Sequence, residues 1–171
     1  RRLTTRLLAG EFIRYRSRFP EEFGCTAELP AEAFIEAVRR VALVAERGTP
    51  VQLTFGPGRV TIVAGTQGQA RARESVPADF TGDQPEIAFS PHYLLDGMVA
   101  AASASAASAS ASGGRDAGGD DGDGDDGFAA GTRVRLQFTS ASKAAVISQS
   151  AAEPEENRTF RYLVVPQRIV Q

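Results

Sequence analysis

Two hydrophobic periods divide this chain into strands and helices. Phe23–Leu29 alternates as a short strand, and Pro30 at the first helical position opens a helix expected from Ala31 to about Arg47, where Gly48 stops it. Phe34, Val38, Val41 and Ala45 recur at i, i+4, i+7 and i+11, the stripe of a helix packed on a core. Leu43 falls outside that stripe, among Arg39, Arg40 and Arg47, and with Val44 it marks a candidate partner surface at the helix end. Val51–Phe55 and Arg59–Ala64 flank a Gly-Pro-Gly turn and predict a β-hairpin. A third strand is expected over Ala70–Phe80, with Arg71 and Arg73 alternating against Ala70 and Ala72, before a turn at Gly82–Pro85.

The same order then repeats. Glu86–Ser90 reads as a strand, Pro91 opens a helix expected to reach Ala101, and Arg133–Thr139 with Ala144–Ser150 forms another hairpin. Thr159–Val165 is the last strand; Pro166, which cannot donate to a sheet ladder, ends it before the apolar Ile169 and Val170. Strand, helix and three strands, twice over, predict a compact α+β domain with both helices on one face of the sheets. Upstream, Arg2–Leu8 reads as an edge strand that Gly10 breaks. Residues 10–20, GEFIRYRSRFP, interleave basic and aromatic side chains as a linker or a phosphate-contacting segment would. Residues 102–131 are Ala, Ser, Gly and Asp apart from Arg115 and Phe128, with almost nothing large and apolar to bury, which predicts a flexible insertion. Such an insertion adds only about 1.5 kcal/mol of loop entropy.

Charge sharpens this picture. Residues 1–20 hold six arginines and one glutamate, residues 113–131 one arginine and six aspartates, and the chain without that acidic stretch holds 18 basic and 15 acidic residues. A mildly basic body is compatible with an acidic or nucleic-acid partner. With no signal-like segment and no long apolar span, the expectation is a soluble cytoplasmic protein without membrane contact, truncated at Arg1.

Candidate catalytic chemistry is sparse. Cys25 is the lone cysteine, inside a strand pattern, and is expected to be buried and inert; His92 is the lone histidine, expected on the surface of a helix's first turn. No GxSxG, P-loop, HExxH or GxGxxG pattern occurs. The acidic stretch fails as a calcium loop, because Asp126 and Thr132 stand where glycine and glutamate are needed. Asp120–Asp126 and Glu153–Glu156 lie in segments too floppy for coordination. The expectation is a non-enzyme with no cofactor and no metal.

Four segments in order resemble the bacterial sliding clamp family, the β subunit of DNA polymerase III. GEFIRYRSRFP (10–20) is similar to the family's GxFPxYRxxLP connector, and AFIEAVRRVALVAERGTPVQL (33–53) to the first helix and following strand of its third domain. IAFSPHYLLDGM (87–98) resembles IxFNxxYLxDxL, and YLVVPQRIV (162–170) resembles YLxMPxRL. The resemblance implies that residues 1–20 are the last strand of a preceding domain plus the connector. Residues 21–171 would be the third clamp domain, interrupted by the acidic insertion 102–131. It further implies a dimeric ring around duplex DNA that tethers the polymerase without reading sequence, and a groove for QLxLF-like motifs of DNA polymerase III and clamp loader subunits. Groove residues carry over as Ile13, Ser17, Arg18, Tyr93, Ala144, Leu163, Val165, Gln167 and Arg168. Leu43, Val44, Arg71 and Arg73 correspond to the homodimer interface, and Arg39 and Arg40 are the DNA-facing candidates. Ile13 replaces a usual proline, and Gln167 brings a polar side chain to a usually apolar groove position. The rival expectation is a clamp-derived interaction module that does not encircle DNA.

Overall fold

The computed structural model describes residues 4–6, 10–12, 14–45, 48–65, 70–83, 86–112 (side chains to 107), 131–150 and 160–168. Strand β1 (Cys25–Pro30) buries alternate residues and leads into helix α1 (Ala31–Ala42). Strands β2 (Val51–Gly56), β3 (Arg59–Gly65), β4 (Arg71–Pro77), β5 (Asp79–Thr81) and β6 (Glu86–Phe89) follow. Helix α2 (Pro91–Ser112) precedes β7 (Arg133–Phe138), β8 (Ala145–Gln149) and β9 (Arg161–Val164).

The strands form two antiparallel sheets, ordered β5-β1-β7-β8-β9 and β4-β3-β2-β6. α1 rests on β2, β3 and β4, α2 rests on β7, β8 and β9, and the helices pack side by side. This is the expected α+β domain with both helices on one side. The repeat is interleaved rather than split into halves. β1, which feeds α1, pairs with β5 and β7, while β6, which feeds α2, pairs with β2. Each helix thus lies over one sheet and starts from the other. The core holds the two together: Phe55 stacks on Phe80 at 4.8 Å between ring centroids and approaches Phe138 at 5.6 Å. A backbone bridge between Ala88 and Gln167 adds a second link.

Several boundaries differ from the sequence expectation, each for a local reason. α1 ends at Ala42, because the amides of Leu43, Val44 and Ala45 each bond three residues back, to Arg40, Val41 and Ala42, and wind the chain into a tighter last turn. The single strand expected over 70–80 divides at Ala78: its N–H bonds the Gly58 carbonyl at the end of the β3–β4 register, and from Asp79 onward the chain pairs with β1 in the other sheet. α2 runs on through Ser112, so the expected insertion does not begin at residue 102. Its Ala-rich stretch has high helix propensity, and Ala101, Ala102 and Ser105 are buried. Residues 113–130 lie outside the described residues, as do Glu153–Glu156, Ile169 and Val170. The expected strand over 2–8 is not found in its described part: Thr4, Thr5 and Arg6 are exposed and in no strand.

Gly97 sets how closely α2 sits on its sheet. A Cβ there would lie 2.6 Å from Cδ1 of Tyr162 and 2.8 Å from Cδ1 of Ile147, so the absence of a side chain lets the helix close on β8 and β9.

Candidate functional site: a groove between connector and last strand

β9 presents alternate residues to opposite faces. Tyr162 and Val164 turn inward, Tyr162 against Gly97 and Val164 only 3% exposed, so Leu163 and the following Val165 face away from α2. Across that outer face runs the connector. Tyr15–Arg18 forms a single 3₁₀ turn, in which the Ser17 hydroxyl donates to the Arg14 carbonyl at 2.9 Å and the Phe19 N–H to the Arg16 carbonyl. Pro20 extends the chain, and the Thr139 hydroxyl donates to the Glu22 carbonyl at 3.1 Å, tying the connector to the β7–β8 turn.

An open cavity of about 910 Å³ lies between these segments, and Ser17, Arg18, Ala144, Leu163 and Val165 line it together. Phe19, Pro20, Thr139 and Lys143 complete its walls, and two carboxylates, Glu21 and Glu22, sit on the rim segment. Val165 is 69% exposed, a large aliphatic side chain held out to solvent at the end of a strand. That exposure is the kind that marks a docking surface when it adjoins other apolar walls. Lys143 and Thr139 were not legible in advance, because a residue in a hairpin turn shows no periodicity that points it at a distant connector.

The other carried-over positions lie elsewhere. Gln167 donates its backbone N–H to the Ala88 carbonyl at 2.7 Å and lines a smaller depression of about 260 Å³ with Ala42, Ala45, Pro91 and His92. The backbone bond to β6 holds it toward the helix ends rather than toward Leu163. Tyr93 is 58% exposed at the start of α2, 5.6 Å ring to ring from His92, and does not line the larger cavity; nor does Arg168. Ile13 lies outside the described residues. His92 is on the surface as expected, 3.6 Å from the Asp96 carboxylate. Burial, reinforced by the Asp96 charge and by Tyr93, pushes the Tyr162 phenol above its ordinary range, so its hydroxyl stays protonated well into alkaline solution.

Residues 16–108, more than half of the chain, match the family model of the DNA polymerase III beta subunit, C-terminal domain. The chain belongs to that family. It is 38% identical over 170 residues to the beta sliding clamp of Streptomyces coelicolor, and 30% identical over 169 residues to the beta sliding clamp homolog GriR of Streptomyces muensis. Those alignments cover 99% and 98% of this chain but only 38% of either relative, so the chain spans well under half of their length. A solved DNA polymerase III subunit beta from Pseudomonas aeruginosa superposes with a TM-score of 0.70 at 20% identity, over 96% of this chain and 36% of that one. A sliding clamp from the same organism, bound to griselimycin, superposes at 0.68 over 94% and 35%. At such identity the superpositions show the clamp fold.

The beta-subunit domain has a second surface, at the end of α1. Leu43 is 84% exposed there, Val44 half-buried, and Arg71 and Arg73 point outward from β4, which ends its sheet and pairs only with β3. Arg40 does not project freely from this helix. Its guanidinium donates to both carboxylate oxygens of Glu74 on β4, at 2.9 and 2.8 Å, and to Glu36 at 3.2 Å. The fork-to-fork geometry holds the Glu74 carboxyl below its ordinary range and the guanidinium above its own. Arg40 therefore clasps α1 to the edge strand. Among the described residues no His, Cys, Asp or Glu cluster is arranged to hold a metal, and no helix is long and apolar enough to cross a membrane.

Proposed function

We propose that this chain is part of a sliding clamp: a non-catalytic domain, acting in the cytoplasm, that docks partner proteins and joins a dimeric ring tethering a DNA polymerase to duplex DNA. The observation that carries the reading is the assembly of Ser17, Arg18, Ala144, Leu163 and Val165, from three separate segments, around one cavity. Its occupant on this reading is a short QLxLF-like motif of DNA polymerase III or clamp loader subunits. Burying one leucine or phenylalanine of such a motif is worth about 1.5–3 kcal/mol, so two anchors support micromolar binding after association costs. The dimer contact would use Leu43, Val44 and the β4 edge with Arg71 and Arg73. Arg39 would supply the weak phosphate attraction that permits sliding. Tyr93, Gln167 and Arg168 would border the motif rather than hold its anchors.

The experiment is a fluorescence-anisotropy titration of a labelled QLxLF peptide. The full chain is expected to bind it, and Leu163→Asp with Val165→Asp to weaken binding at least tenfold, since both side chains face outward and leave the core intact. Undiminished binding by that variant rejects the groove.

A second reading, a clamp-derived interaction module that does not encircle DNA, is favoured by the charge of the helical side. α2 bears neither lysine nor arginine along its 22 residues, and Arg40 is neutralised by its two glutamates. Retention of the protein on a circular but not on a linearised duplex supports the ring; equal loss from both supports the module.

A further inference from the structure

A second cavity, of about 700 Å³, lies on the other side of the connector and shares Phe19, Pro20 and Glu21 with the first as a common wall. Its lining is of a different kind. Arg16, Arg135 and Arg161 contribute three of its four charged side chains, against Glu21 alone. Arg135 is already committed, donating to the Glu28 carboxylate at 2.7 Å with both side chains more than four-fifths buried. The same carboxylate also accepts the Ser150 hydroxyl at 2.7 Å. Arg16 and Arg161 are exposed, on opposite segments, and make no ion pair with another described residue. Phe19, Phe23 and Phe160 line the same cavity as apolar walls. The cavity thus combines two uncommitted guanidinium groups with aromatic sides, next to a groove that accepts apolar anchors.

We propose that this cavity is a subsite for the acidic flank of a docked peptide: aspartate or glutamate residues adjoining the apolar motif, held by Arg16 and Arg161. The proposal rests on the groove reading above. An extended peptide advances about 3.3 Å per residue, so a few residues beyond the anchors carry it past the shared Phe19–Pro20 wall. Guanidinium forks suit carboxylates, and partial shelter by the phenylalanines keeps the pairs less screened than fully exposed ones. The arginine-aromatic interleaving of residues 10–20, which the groove leaves unexplained, acquires a role: Arg18 faces the apolar cavity and Arg16 the arginine-lined one.

The test compares three labelled peptides on the full chain: the QLxLF motif alone, and the motif with three aspartates added at its N-terminal or its C-terminal end. One extended peptide is expected to bind roughly fivefold more tightly than the bare motif at low salt, the yield of two weak charge pairs. The gain should fade as salt is raised. In Arg16→Ser with Arg161→Ser, whose exposed side chains contribute little to folding, the bare motif should bind as before and the gain should vanish. No gain from either extension, or a gain that survives the double substitution, overturns the subsite while leaving the groove standing. Failure of the bare motif to bind overturns both. If a short duplex oligonucleotide binds the chain with the same dependence on Arg16 and Arg161 and abolishes the gain, the cavity is a phosphate site and the peptide reading is wrong.

Discussion

Cys25 occupies the first position of β1, 4% exposed, with its thiol donating to the Asp83 carbonyl at 3.2 Å. Burial, and then the Asp83 charge, raise its pKa. A thiol whose folded pKa is raised stabilises the protein fully at lower pH, and that stability is lost as pH climbs through the raised value. The same two causes keep it unreactive. At about pH 8, Cys25 in the folded chain is therefore expected to react with a disulfide reagent at least roughly tenfold more slowly than in the denatured chain; equal rates in a thiol-modification assay would refute this. That single residue was legible in the sequence, because a lone cysteine in an alternating run has few other fates. Gln167 was not. The family resemblance assigns it to the groove, but a backbone hydrogen bond to Ala88 holds it near the helix ends, and no sequence pattern reports such a bond. Arg40 has a partner that periodicity does not report: it falls on the polar side of α1, and the carboxylate it grips comes from a strand 34 residues away.

Among the elements, those with strong periodicity or turn chemistry were legible: α1 through its stripe, β2 and β3 through Gly-Pro-Gly, β9 through its run ending at Pro166. What local pattern could not carry was partnership, so the division of the 70–80 strand at Ala78 and the exchange of β1 and β6 between sheets went unseen. The far end of α2 is not legible because small polar composition masks the helix propensity of its alanines, and because Ala101 and Ala102, which are buried, are no larger than alanines that are not. Gly97 gives a test at this scale. On an exposed helix Gly→Ala stabilises by about 1 kcal/mol. Here the added methyl meets Tyr162 and Ile147, and overpacking of that kind costs about 1–3 kcal/mol. Gly97→Ala is therefore expected to lower stability in urea denaturation, and Gly97→Val to lower it further. Because Tyr162 adjoins Leu163, the same change should also weaken peptide binding. A stabilised Gly97→Ala would show that the helix does not sit this close.

For the whole molecule, the surface at the end of α1 and the β4 edge is where assembly would be decided. Leu43→Ala with Val44→Ala, made in the full-length protein, is expected to convert dimer to monomer in analytical ultracentrifugation. The fold should change little, because Leu43 is almost wholly exposed. An unchanged dimer mass would place the contact elsewhere. Fold class and family were legible at this scale because four motifs fell in order along one repeat; of the residues that line the larger cavity, Ser17, Arg18, Ala144, Leu163 and Val165 were named from the sequence, and Thr139 and Lys143 were not.

The interleaving of the sheets also sets a timetable. Cys25 of β1 pairs with Phe138 of β7, and between them the ribosome must make both helices, the first hairpin and the acidic stretch. At ordinary elongation rates that interval lasts roughly 5–25 s. β2, β3 and β4 need no such delay, since each meets its neighbour within a few residues of synthesis. The nascent chain therefore holds one nearly finished sheet and a β1 strand that has only the three-residue β5 on one edge, its other edge open until β7 arrives. Lengthening the acidic tract costs the finished fold almost nothing, but it prolongs the exposure of that strand in direct proportion to its length.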